Sequence, residues 1–203
     1  MTPPTPAQLE AMTARFAPVD LTVALAGLPA SERRTLATLV RAARLIDGLF
    51  LEQVWAGNPA LLLELAQDHT ELGRARLRYF IINKGPWSRL DHDAPFVPGV
   101  PAKPGQANYY PLDATKADVD AWLASLAGAA RQEAAGFFTV IRRTPAGTLD
   151  AVPYATEYRT TLAMLAATLR EAAGQTAQPT LRRFLETRAA ALGTNDYYAS
   201  DVA

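Results

Sequence analysis

NKGPWSRLDHDAPFVPGVP, residues 83–101, is where the character of this chain changes. Before it runs a helical pattern rich in Ala, Leu and Arg. After Lys84-Gly85-Pro86 come about twenty-five residues of aromatic, proline-rich chain with no helical period. Loops of that length in compact domains serve a function or are disordered. Disordered segments are poor in aromatics, and this one carries Trp87 and Phe96, with Tyr109 and Tyr110 just beyond. It therefore reads as an ordered loop laid over a surface, the kind of element that holds binding residues.

On either side the patterns are mostly helical. Residues 29–56 repeat Leu36, Leu39, Val40, Ala43, Ile46, Phe50 and Val54 at three- and four-residue steps, which predicts a helix buried along that face. Asn58-Pro59 reads as an N-cap and first-turn proline opening a second helix through Leu61, Leu62 and Leu65. A third is expected over residues 71–82, and a short one over 7–16 behind a frayed start at 1–6. Thr115-x-x-Asp118 resembles a capping box ahead of Val119, Trp122 and Leu123. Residues 137–143 and 148–154 flank Thr144-Pro145-Ala146-Gly147 as a hairpin. Helices over 156–173 and 180–192 follow, the latter ended by Gly193. The expected fold class is mainly α with a small antiparallel β element (α+β): helices, one β-hairpin and the long Pro/aromatic loop. With no repeat and no composition break, a single domain over 1–203 is expected.

Composition narrows the function. Lys plus Arg and Asp plus Glu number 20 each, so the net charge is zero. A basic stripe for nucleic acid, or a patch for anionic lipid, is therefore not expected. No run of eighteen apolar residues exists to span a bilayer, and the start MTPPTPAQLEAM lacks the basic and apolar regions of a signal peptide. A soluble protein of the cytoplasm or periplasm fits. The absence of cysteine rules out disulfides and thiol nucleophiles.

The only histidines, His69 and His92, belong to no His-Glu-x-x-His pattern. Asp91-His92-Asp93 offers neighbouring donors, but adjacent residues rarely converge on one ion, so no metal site is expected. Phosphate-binding GxxxxGK[ST], GxGxxG and nucleophile-elbow GxSxG motifs are missing. The candidate site is then the loop itself. Trp87, Phe96, Tyr109 and Tyr110 either cover adjacent helices or form a subsite for a ligand side chain. The end, TNDYYASDVA, places two aromatics after a helix stop and reads as the start of a further buried element, hence as the edge of a fragment.

The order Asn83-x-Gly85-x-Trp87, then Phe96-Val97-Pro98-x-Val100-Pro101, then Asn108-Tyr109-Tyr110 with Thr115-x-x-Asp118, resembles the N-terminal part of the dipeptidyl peptidase III family of zinc exopeptidases, and its bacterial branch most closely. ARLIDGLFLEQVWAGNPALLLEL, GFFTVIRRTPAGTLDAVPY and NDYYASDVA support it. The resemblance implies part of a two-lobed metallopeptidase with a wide cleft. One lobe has helices around a small β-barrel, and the other is helical and holds zinc. The family's zinc motif, His-Glu-x-x-Gly-His or His-Glu-x-x-x-His, and its later glutamate are absent from this chain, as is its Glu-x-Tyr segment. The expectation is a chain that is not catalytic alone and binds no cofactor, with zinc in the missing C-terminal part. It would form one wall of the peptide-binding cleft, its partners being that part and, once complete, an oligopeptide substrate. By the same resemblance Phe96, with Trp87 and Asn83, are the substrate-binding candidates. The competing expectation is an independent helical module binding a peptide or protein through the loop.

Overall fold

The computed structural model describes residues 3–203, so the first two residues of the start expected to fray lie outside the described residues. The chain divides into two compact units, one of residues up to Thr22 with Phe50–Asn108, the other of Val23–Leu49 with Tyr109–Ala203.

The first unit contains α1 (Pro6–Thr13), the end of α2 (Ala30–Val54), α3 (Asn58–Gln67) and α4 (Glu71–Asn83). Thr5 caps α1, its hydroxyl accepting from the Gln8 N–H while the Gln8 side chain accepts from the Thr5 N–H. The predicted N-cap of α3 moves by one residue. Gly57 is the cap, and Asn58 begins the helix fully buried, its amide donating to the carbonyls of Leu51 (2.9 Å) and Lys84 (3.4 Å). That side chain is used to tie chain segments together, so it is unavailable to close its own helix end. Leu9, Leu61, Leu65, Tyr79, Phe80, Phe96 and Val97 form the core.

In the second unit, α5 (Lys116–Ser125) opens with the predicted capping box of Thr115 and Asp118. A short α6 (Gly128–Ala134) leads into the hairpin of β3 (Thr139–Arg143) and β4 (Leu149–Pro153), paired antiparallel from Thr139 against Pro153 to Arg143 against Leu149. The helix expected over 156–173 is divided at Tyr158 into α7 (Tyr154–Glu157) and α8 (Arg159–Gln175). α9 (Pro179–Thr194) runs past Gly193, and Asn195 takes the left-handed closing conformation (φ 60°) instead. α10 (Tyr198–Asp201) follows. Ala166, Ala172, Ala173 and Ala189 are buried in the α8–α9 core among Leu162, Leu165, Leu169, Leu185 and Leu192. Side chains this small let two helices approach closely.

The long helix α2 turns a different face inward from the one its leucine period suggests. Thr35, Thr38 and Ala42 are buried, Leu39, Leu45 and Leu49 are half-buried, and Leu36, Val40 and Ile46 are exposed. Polar bonding sets the rotation. Thr38 donates to the Gln175 side chain (2.9 Å), and the Glu32 carboxylate accepts from the Thr176 hydroxyl and the Ala177 N–H, each at 2.8 Å. Tyr197 packs inward on Phe138, with centroids 4.8 Å apart, while Tyr198 and Val202 are exposed. The fold class is thus mainly α, with two small antiparallel strand pairs where the sequence suggests one hairpin. Among the described residues no helix is long and apolar enough to cross a membrane.

Candidate functional site

The segment 83–101 is folded against the first unit by its own backbone pairing. α4 ends with Lys84 in the left-handed region (φ 57°), which lets the Gly85 N–H reach back to the Phe80 carbonyl (3.2 Å). A Cβ at Gly85 would lie 3.2 Å from the Trp87 ring, a tight contact that glycine relieves. β1 (Trp87–Ser88) then pairs antiparallel with β2 (Ala94–Pro95), Trp87 opposite Pro95 and Ser88 opposite Ala94. Between them lie one 3₁₀ turn (Arg89–Asp91) and two successive left-handed residues, His92 and Asp93. The Asp93 N–H donates to the Ser88 carbonyl (2.9 Å) and the Phe96 N–H to that of Pro86 (3.0 Å).

A chain of side-chain hydrogen bonds fixes this turn. The Ser88 hydroxyl donates to Asp91 Oδ2 (2.5 Å), so the Tyr79 hydroxyl, 2.6 Å from Ser88 Oγ, donates to Ser88. Arg15 Nη1 lies 2.8 Å from both Asp91 oxygens, and its Nη2 donates to the Leu90 carbonyl at 3.1 Å. The Ser88 hydroxyl, and next the Arg15 guanidinium, hold the Asp91 carboxyl below the usual carboxylate range. Beside this pair opens a groove of about 500 Å³ lined by Gln8, Met12, Arg15, Asp91, Pro95 and Phe96.

All three residues predicted to bind substrate lie in this one unit. Phe96 is only 2% exposed, its ring edge-on to Tyr79 with centroids 4.8 Å apart. Trp87 is equally buried, set against Trp55 at 5.3 Å, with Nε1 donating to the Pro101 carbonyl (2.9 Å). Half-buried Asn83 bridges the helix exit, donating to the Tyr79 carbonyl (2.9 Å) and accepting from the Arg89 N–H (3.1 Å). Tyr109 belongs to the second unit, where its ring stacks on Tyr154 and its carbonyl accepts from the Ile141 N–H (2.8 Å). Sequence reasoning missed Arg15, Tyr79 and Ser88. Ser88-x-x-Asp91 is a local signal for a side-chain turn, whereas nothing in the sequence points to a partner 76 residues away.

The donors in this region do not fit a metal ion. Asp91 is paired with Arg15, Asp93 with Lys103 (2.9 Å), and among the described residues no three His, Cys, Asp or Glu side chains gather as a site would need.

No protein-family model matches the chain. The solved dipeptidyl-peptidase III from Corallococcus sp. strain EGB superimposes with a TM-score of 0.94 and 55% identity, over 99% of this chain and 37% of that one. DPP III from Caldithrix abyssi gives 0.86 and 37% identity, over 95% of this chain and 36% of that one. Nudix hydrolase 3 of Arabidopsis thaliana is 31% identical over 245 residues, 96% of this chain but 32% of that protein. The chain spans about a third of the length of each relative. Over nearly all its residues the chain is alike in both sequence and fold to about a third of these dipeptidyl-peptidase III chains, consistent with an N-terminal portion of that family.

Proposed function

We propose that this chain is the N-terminal portion of a zinc-dependent dipeptidyl peptidase and forms one wall of its peptide-binding cleft without being catalytic alone. The observation that carries the reading is the 55% identity and 0.94 TM-score, maintained over 99% of the chain, with the dipeptidyl-peptidase III of Corallococcus. The zinc and the group that activates water belong to the portion this chain does not contain. Its partners are that portion and, in the joined protein, an oligopeptide. Within the wall, Asn83, Trp87 and Phe96 serve the substrate side by holding segment 83–101 in place, and the groove between Arg15 and Pro95 is where backbone or side chains of a peptide meet it. Rigid support of this kind matters because small misplacements of a binding group cost rate. The exposed Tyr198 and Val202 support a surface meant for coverage.

A chimera tests this. In the Corallococcus protein, the matched portion is replaced by this chain. Zinc-dependent release of dipeptides by the chimera, with none from the 203-residue chain, is the expected result. A folded, zinc-loaded chimera that releases nothing overturns the proposal, as does metal-free, high-affinity peptide binding by the chain alone.

A further inference from the structure

Residues 17–27, APVDLTVALAG, carry the sequence pattern of a strand but join no sheet among the described residues. Val19, Leu21, Val23 and Leu25 alternate with Pro18, Asp20, Thr22 and Ala24, the period-two pattern of a strand with one apolar face. Val and Thr are also residues that favour a pleated, half-buried surface. Yet every residue from 17 to 27 is exposed, Leu21 at 91%, Val19 at 74% and Val23 at 71%. The strand pairings are β1 with β2 and β3 with β4, and among the described residues no backbone hydrogen bond reaches positions 19–24. A stretch needed only for its length would be served by polar, Gly- or Ser-rich chain. Aliphatics spaced two apart are instead what an edge pairing requires.

The match to the Corallococcus protein supplies the occupant. It covers 99% of this chain, so all but about two residues align, and these eleven are almost wholly within it. More than 60% of that protein lies outside the match and is available to cover them. We propose that residues 19–25 form a sheet strand completed by a strand edge from that outside portion, with Val19, Leu21, Val23 and Leu25 turned onto its apolar side. This rests on the reading of the chain as part of a longer peptidase.

The test compares the 203-residue chain with the chimera described above. In the chain alone, amides 19–25 exchange at unprotected rates, and Thr22→Pro or Leu21→Lys moves Tm by no more than about 1 °C. In the chimera the same amides exchange at least about 100-fold more slowly. There Thr22→Pro, which removes a ladder donor, lowers Tm by several degrees, whereas Thr22→Val leaves it unchanged. The aligned amides of the natural Corallococcus protein give the same readout without any dependence on the chimera's folding. Unprotected amides in the joined proteins overturn the strand. So does concentration-dependent dimerisation of the chain that protects these amides, since that assigns the edge to a second copy. Dipeptide release is read separately. A chimera that is protected here but inactive overturns the peptidase reading alone, and one that is active but unprotected overturns the strand alone.

Discussion

Each unit relies on tyrosine, and the two use it in opposite ways. In the first, the Tyr79 hydroxyl starts a relay through Ser88 to Asp91 and the Arg15 guanidinium. In the second, Tyr109, Tyr154 and Tyr158 bring rings together, with Tyr109 stacked on Tyr154 at 6.4 Å and Tyr158 edge-on at 5.3 Å. Burial first, and then the neighbouring phenols, push the Tyr154 hydroxyl up to about 12. The first arrangement is directional and depends on charge, which suits a turn that must keep one shape. The second depends on area, which suits a hairpin laid against helices.

The strongest way to break this contrast is Phe96→Ala. It empties the core beneath segment 83–101 and should cost about 3–5 kcal/mol, read by denaturant unfolding. Hydrogen-exchange protection in α8 and α9 should persist. Equal loss of protection in both units would show that they fail as one.

Alkaline pH should then select the second unit. Tyr154 ionises near 10 when unfolded and near 12 when folded, so its contribution is complete below pH 10 and disappears as pH rises to about 12. Partial exposure and solvent screening limit the effect to about 1 kcal/mol. Tyr154→Phe should flatten this part of the stability curve in thermal melts from pH 9 to 12. An unchanged slope would remove Tyr154 as its source.

Acid pH addresses the first unit. The folded Asp91 carboxyl sits below its ordinary 3.8, so the stability it contributes is present above that value and is lost as pH falls through the lower folded one. Asp91→Asn should destabilise by less than about 1 kcal/mol at pH 7, the ion pair being partly exposed. The difference from the parent protein should shrink as pH falls below 3.8, and a difference that grows on acidification would refute the charge-based lock. The smallest effect is expected from Lys116→Ala. Its i,i+4 partner Asp120 is solvent-exposed, and stability should change by no more than about 0.3 kcal/mol.

Elements with a local cause were legible from sequence. Thr115 and Asp118 cap α5 through bonds three residues apart, and the Thr144-Pro145-Ala146-Gly147 turn sets the β3–β4 pairing. What escaped depends on distant partners. The face of α2 is chosen by Gln175, Thr176 and Ala177, which turn its threonines inward and leave Leu36, Val40 and Ile46 outside. Asn58 looked like a cap because Asn-Pro so often is one, but two carbonyls claim its amide. At the candidate site, the loop's order was readable from its aromatics. The Arg15–Asp91 lock was not, because α1 and the loop are joined only in space.

That lock makes the exposed turn at His92 and Asp93 a reporter on the far end of the chain. Its left-handed residues keep their shape while Arg15, just beyond α1, grips Asp91. Limited proteolysis at this turn should therefore be slow in intact molecules and rapid in those trimmed past Arg15, so that a nick at residue 92 records the loss of a helix more than seventy residues earlier.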